Sequence, residues 1–297
     1  MLALAATALA LAAVPAAQAQ LIAYEGFNLT AGNNSLGGSS GAGSSGFSTN
    51  WTTIGDANGG NVISPGYSYT GITSVGNRAQ IFNSSASSDS SATYFYRTLS
   101  TPFSVAANST GTVWASFMIQ GTAAASSGRG ASIGFFGTNA PTASTVGITV
   151  GAVGSNANYR VAGRALDTTG SGLVGTSTTN AGTQVFMVAK ITVNTNLNSA
   201  ETISLWINPT TFDGTESSLG TAALANTSLG DLGLSSISAI AFGSNYVSTG
   251  TATLGLDEIR LGTTLGSVTA IPEPSAFAAL AGLGVLGLAA TRRRRVR

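Results

Sequence analysis

Residues 112–119 read TVWASFMI. In an extended chain successive side chains point to opposite faces. Val113, Ala115, Phe117 and Ile119 then share one face, and Thr112, Trp114, Ser116 and Met118 share the other. The first face is wholly apolar, and the second mixes two large apolar side chains with two hydroxyls. That pattern predicts a strand buried on one side and partly covered on the other. The same two-residue period runs through QVFMVAKITV (184–193), where Val185, Met187, Ala189, Ile191 and Val193 alternate with Phe186, Val188, Lys190 and Thr192. In TISLWI (202–207), Ile203, Leu205 and Ile207 oppose Ser204 and Trp206.

Similar runs occur at 92–97, 131–137, 146–152, 158–165, 237–244 and 252–262, separated by segments rich in Gly, Asn, Ser and Thr. Many short alternating strands between such turns predict an all-β fold, a two-sheet antiparallel β-sandwich of the jelly-roll type. Phe117, Ile191, Val193, Ile203 and Leu205 are expected in its core, each on the more apolar face of its strand. Several strands are apolar on both faces, so the outer surface of one sheet is expected to be partly buried as well. Only TAALANTS (221–228) and the C-terminal tail read as short helices.

Composition narrows the chemistry. Charged residues make up 8% of the 297, against roughly 25% in an ordinary soluble domain. Between residues 20 and 269 ten acids face seven bases, so the body is about three charges negative. It lacks the basic patch that neutralising phosphates requires, and nucleic acid is not an expected partner. The chain has no Cys and no His. Disulfides, thiolate metal sites, imidazole acid–base catalysis and Ser-His-Asp chemistry are therefore outside its means.

The two ends read differently from the body. Residues 2–14 are apolar, Pro15 breaks the run, and Ala17 and Ala19 flank Gln18 in the small-x-small pattern of a signal-peptidase site. Residues 1–19 are thus expected to form a signal helix that is removed. No Lys or Arg precedes the apolar run, which leads to the expectation that the true start lies upstream of Met1. Residues 35–48, SLGGSSGAGSSGFS, are expected to be a flexible Gly/Ser loop within a body spanning 20–269.

The tail, 270–297, contains Pro272-Glu273-Pro274 and then 16 uncharged residues from Ser275 to Ala290. As a helix these span about 24 Å, against a bilayer core of roughly 30 Å. The segment 275–291 is expected to cross a membrane marginally. Arg292, Arg293, Arg294, Arg295 and Arg297 would stay on the cytoplasmic side. The prolines hold the tripeptide extended, in a form that a protease can bind.

The tail resembles the PEP-CTERM sorting signal, whose tripeptide matches Pro272, Glu273 and Pro274. The resemblance implies recognition by exosortase, a membrane cysteine protease. The opening AYEGFNLTAGNNSLGG…GFSTNW, the segment ISLWINPT and the closing LDEIRLGTTLGSV resemble the bodies of exported bacterial proteins with a concanavalin A-like lectin/glucanase sandwich. Together these imply export by way of signal peptidase and transient anchoring in the inner membrane through the C-terminal helix. Release to the surface or matrix of a Gram-negative-type cell would follow.

Catalysis without His or Cys would need a pair of carboxylates. The Glu-x-Asp-x-x-Glu strand of the sandwich glucanases is absent. Asp257 and Glu258 are adjacent, so they are expected on opposite faces, one meeting Arg260 and the other facing solvent. Asp213 and Glu216 share a loop without a positioned partner. No Asp-x-Asp-x-Asp-Gly loop is present. No catalytic residue, metal or cofactor is expected.

Aromatics remain. Trp114 and Trp206 lie in apolar strands and are expected in the core, whereas Trp51, Tyr67 and Tyr69 are the candidates for sugar contact. The leading expectation is a non-catalytic surface or matrix protein with a structural or adhesive role. A carbohydrate-binding module contacting extracellular polysaccharide comes second, and a glycoside hydrolase or polysaccharide lyase third.

Overall fold

The computed structural model describes residues 20–33, 35–41, 43–55, 60–72, 74, 76–84, 93–122, 131–152, 158–165, 173–196, 198–244 and 251–269. The stretch TVWASFMI lies within β6 (Thr110–Thr122), near the middle of an eight-stranded sheet. On one side of β6 lie β11 (Val185–Asn194), β12 (Thr202–Ile207) and β13 (Leu224–Ser228). On the other side lies β15 (Thr251–Gly262), which has two partners in succession. Its first half pairs with β4 (Arg78–Ser84), itself paired with β3 (Gly60–Ile63). Its second half pairs with β1 (Leu21–Glu25).

The facing sheet has seven strands. Its order is β10 (Leu173–Asn180), β9 (Asn158–Ala165), β8 (Val146–Ala152), β7 (Ala131–Phe136), β14 (Ser236–Ser244), β5 (Thr93–Ser104) and β2 (Thr52–Gly55). Every pairing is antiparallel. The molecule is the two-sheet sandwich that the alternation predicts. Phe117, Ile191, Val193, Ile203 and Leu205 are fully buried between the sheets.

One expected helix is a strand. Residues 224–228 of TAALANTS form β13, which extends the sheet edge by pairing with β12 through Thr202↔Ser228 and Ile203↔Thr227. Local propensity there yields to an open row of backbone groups on β12.

Several residues of the Gly/Ser loop touch the strands of the body. Leu36 is buried, Ser45 bridges to Tyr24, and Phe47 bridges to Leu99. A Cβ on Gly46 would overlap the carbonyl of Ile22, and Gly46 has φ +79°. Glycine is what that close approach requires.

The loop closes over a buried ion pair that joins the two sheets. Glu25, at the end of β1, meets Arg97 of β5. Glu25 also accepts hydrogen bonds from the backbone N–H of Phe27 (2.8 Å) and from Trp51 Nε1 (3.2 Å). Burial pushes the Glu25 carboxyl up and the Arg97 guanidinium down, against their mutual attraction.

The outer face of the eight-stranded sheet carries a second apolar cluster of Trp114, Met118, Phe186, Val188 and Trp206. It is covered by Tyr67 and Ile72 from the chain between β3 and β4, by Leu219, and by a five-residue helix, α1 (Leu265–Thr269). This is the partly buried outer surface that the doubly apolar strands predict.

Candidate functional site

The acids of the closing LDEIRLG segment sit at a discontinuity. β15 pairs with β4 as far as Leu256↔Ala79 and with β1 from Ile259↔Glu25. Between these two pairings its register against β6 shifts, from Asp257↔Met118 to Arg260↔Ser116. This is a β-bulge, with Glu258 at φ 51°. A bulge breaks alternation, so the expectation that Asp257 and Glu258 face opposite ways does not hold. Both carboxylates lie on the outer side of the sheet and both residues are buried.

Each carboxylate oxygen is occupied. Asp257 Oδ2 accepts from the Tyr67 backbone N–H (2.7 Å) and Ser74 Oγ (2.9 Å), and Oδ1 accepts from the Glu258 N–H (2.8 Å). Glu258 Oε1 accepts from Tyr24 Oη (2.9 Å), and Oε2 accepts from Arg260 Nη2 (2.8 Å). Arg260 is thus the expected base, but Asp257 is not solvent-facing. Burial pushes the Asp257 carboxyl up to about 7. Its bonds from Ser74 and Tyr67 oppose that shift, and the Glu258 charge adds to it. The cluster ties three chain segments, β1, the loop after β3, and β15, into one network. Its geometry is that of a clamp. Among the described residues no three acids converge as a metal site would require.

The aromatic candidates divide. Trp51 is 1% exposed and belongs to the inner core. It stacks on Phe27 at 5.8 Å and meets Phe242 edge-on at 4.7 Å, while its indole N–H serves Glu25. It cannot touch a sugar from there, because a buried acceptor 26 residues away draws it inside. Tyr67 is buried over the outer face of the eight-stranded sheet, its Oη donating to Gln120 Oε1 and its ring under the Arg78 guanidinium. Tyr69 is half-buried, stacks on Phe186 at 5.2 Å and donates to the Pro209 carbonyl. The structure brings these two tyrosines together as parts of a cover.

Beneath that cover Trp114 and Trp206 stack at 5.9 Å, and Trp206 Nε1 donates to the Gly220 carbonyl. They are buried, as expected, although in the outer cluster and not between the sheets. Asp213 and Glu216 are turn-builders. Asp213 accepts from Thr215, and Glu216 pairs with Lys190 at 2.7 Å.

One surface has no counterpart in the sequence reading, the outer face of the seven-stranded sheet. Register aligns Tyr96, Ala241, Gly134 and Thr149 in one cross-strand row, and Tyr94, Gly243, Ser132, Gly151 and Arg160 in the next. Small residues make a floor between tyrosines at one side and Arg160 at the other. Tyr96 and Arg160 are half-exposed. The signal was present in ASIGFFG and VGITVGA, whose alternate positions are Ser, Gly and Thr, with Phe136 beside them, opposite Ile, Phe and Val.

The signal segment 1–19, with Ala17 and Ala19, lies outside the described residues, as does the whole tail. Among the described residues no helix is long and apolar enough to cross a membrane. The tail does have a match. Residues 270–295 fit the PEP-CTERM protein-sorting motif, which includes Pro272, Glu273, Pro274 and Arg292 to Arg295. The class so defined is a β-sandwich body bearing a C-terminal sorting signal, which is the mark of an exported protein destined for the cell surface or beyond. The motif implies processing by exosortase.

No curated protein matches the chain. Among solved structures, the chain is similar to an endo-1,3-β-glucanase from Streptomyces sioyaensis. Identity is 14% over 84% of this chain and 97% of that one, with a TM-score of 0.44. It is similar to lectin I from Ulex europaeus in complex with the methyl glycoside of α-L-fucose at 12% identity, over 72% and 92% of the chains, with a TM-score of 0.43. It is similar to the alginate lyase Aly36B in complex with alginate trisaccharide at 13% identity, over 71% and 87%, with a TM-score of 0.43. At these values the likeness carries no argument about site or chemistry.

Proposed function

We propose that this chain is a non-catalytic surface or matrix protein. In this reading a signal peptide exports it, the tail holds it briefly in the inner membrane, and exosortase cuts it at or near Pro272-Glu273-Pro274. The sorting motif at 270–295 is the observation that carries the reading. The marginal apolar length of 275–290 suits an anchor that is later removed. A structural role is supported by the acids of the body. Asp257 and Glu258, adjacent in sequence and on one face, are buried and engaged at every oxygen by the chain itself.

Intact-mass analysis of the protein from its native host tests this. The mature species should end close to residue 272. Surface-exposed material that still carries Arg292 to Arg297 would leave a simple anchor in place of a processed signal.

A second reading, carbohydrate binding, is favoured by the outer face of the seven-stranded sheet. There half-exposed Tyr96 and Arg160 stand at the two sides of small residues that are themselves buried. A part-exposed aromatic ring such as Tyr96 can stack on a sugar ring. Retention on a glycan array that is lost in Tyr96→Ala would support it. Retention equal in the variant would remove this surface from consideration.

A further inference from the structure

The chain is fastened to the body almost up to the sorting tripeptide. At the end of β15 the Thr263 N–H donates to the Gln20 carbonyl (3.0 Å). Two residues later α1 begins and lies on the outer face of β6 and β15. Leu265 and Val268 are buried there, and Thr269, the last residue of the helix, is 3% exposed. Ser116 Oγ of β6 donates to the Val268 carbonyl (2.6 Å), and Thr269 Oγ1 donates to the Leu265 carbonyl (3.0 Å).

Pro272 is three residues beyond Thr269. Whatever path the chain takes, its Cα lies within about 11 Å of the Thr269 Cα. A protease binds its substrate in extended form, with residues on both sides of the bond engaged, as strand-adding receptors do. The residues upstream of the tripeptide include Val268 and Thr269, which are helical and buried.

We propose that α1 is a latch on processing, and that the segment preceding Pro272-Glu273-Pro274 becomes available to the membrane protease only when α1 leaves the sheet. This rests on the processing proposed above. The latch is five residues long and held mainly by two apolar side chains and one hydrogen bond from β6, so its release is local and does not require the sandwich to open.

The test uses the full chain in a host that carries the protease, with pulse-chase and intact mass as readout. In one variant an eight-residue Gly-Ser linker is inserted between Thr269 and Ala270, which frees the tripeptide while leaving α1 docked. In another, Val268→Ser weakens the docking. The latch predicts faster conversion in both. For Val268→Ser the gain should be about tenfold, the factor that follows from losing most of one buried side chain's transfer energy.

Conversion of the linker variant at the wild-type rate, or more slowly, would overturn the latch, since the protease would then be working on the docked form. If Val268→Ser does not accumulate, the linker variant decides alone. A wild-type chain that keeps its tail would instead overturn the processing reading, and the latch with it.

Discussion

The two sheets of the sandwich have similar inner faces and unlike outer ones. Outside the eight-stranded sheet stand Trp114, Met118, Phe186, Val188 and Trp206, covered by the chain's own loops and by α1. Outside the seven-stranded sheet the corresponding positions are filled by Gly, Ala, Ser and Thr, with aromatics such as Tyr94 and Phe136 lying over them. Large outward side chains create a surface that must be covered, and the chain spends three segments on covering it. Small outward side chains are covered by rings of the sheet's own strands, Tyr94 and Phe136. One outer face is a second core closed by added segments, while the other is a smaller cluster closed by its own aromatics.

The sharpest way to break that contrast is to truncate one large side chain on each face. Trp206→Ala should cost about 3–5 kcal/mol, as in a true core, and Tyr96→Ala about 1 kcal/mol or less, as at a half-exposed site. Urea midpoints measure both, and equal losses would erase the distinction.

Next comes pH. The folded pKa of Asp257, about 7, lies above its ordinary 3.8. Between those values the native state binds more protons than the unfolded chain, so stability falls as pH rises from about 4 to about 7 and levels off above. The loss is on the order of 4 kcal/mol across that window. Glu25 is shifted in the same direction, so Asp257→Asn should flatten part of the slope. An unchanged slope would place the titration outside the clamp.

On the small-residue face, a methyl group at Gly243 would stand 2.1 Å from the Tyr94 ring and 2.3 Å from the Thr93 carbonyl. Gly243→Ala should therefore cost about 1–3 kcal/mol through overpacking. A neutral result would show that the floor has room to spare.

The smallest effect belongs to the rim of the covered face, where Lys190 and Glu216 pair in contact with solvent. Lys190→Ala should cost about 0.5 kcal/mol or less and lose its effect in high salt.

Period-two alternation revealed the inner faces because burial between two sheets imposes that period directly. Phe117, Ile191 and Leu205 were legible for that reason. The outer apolar face of β6 and β11 was legible too, since Trp114 and Phe186 stand opposite inward residues. What escaped was non-local. Trp51 is drawn inside by Glu25, and nothing in the residues near Trp51 announces that acceptor. The bulge at Asp257 and Glu258 arises where β15 exchanges β4 for β1, a fact of topology. The loop at 35–48 has the composition of a linker, yet Gly41 and Gly46 serve close approach to β1. TAALANTS became a strand because β12 had an unpaired edge. In the candidate sites, chemistry could be excluded from composition alone, whereas placement could not.

The hydrogen bonds between Gln20 and Thr263 bring the entrance and the exit of the body to one end of the sandwich. The strand ends that flank residues 85–92, 123–130 and 245–250 lie at the other end, as the pairings Thr251↔Ser84, Thr253↔Thr122 and Ser244↔Ala131 require. In the proposed reading, a body held to a membrane by its terminal end would keep its entrance and exit beside the bilayer and the far strand ends, at Ser84, Thr122, Ala131, Ser244 and Thr251, away from it.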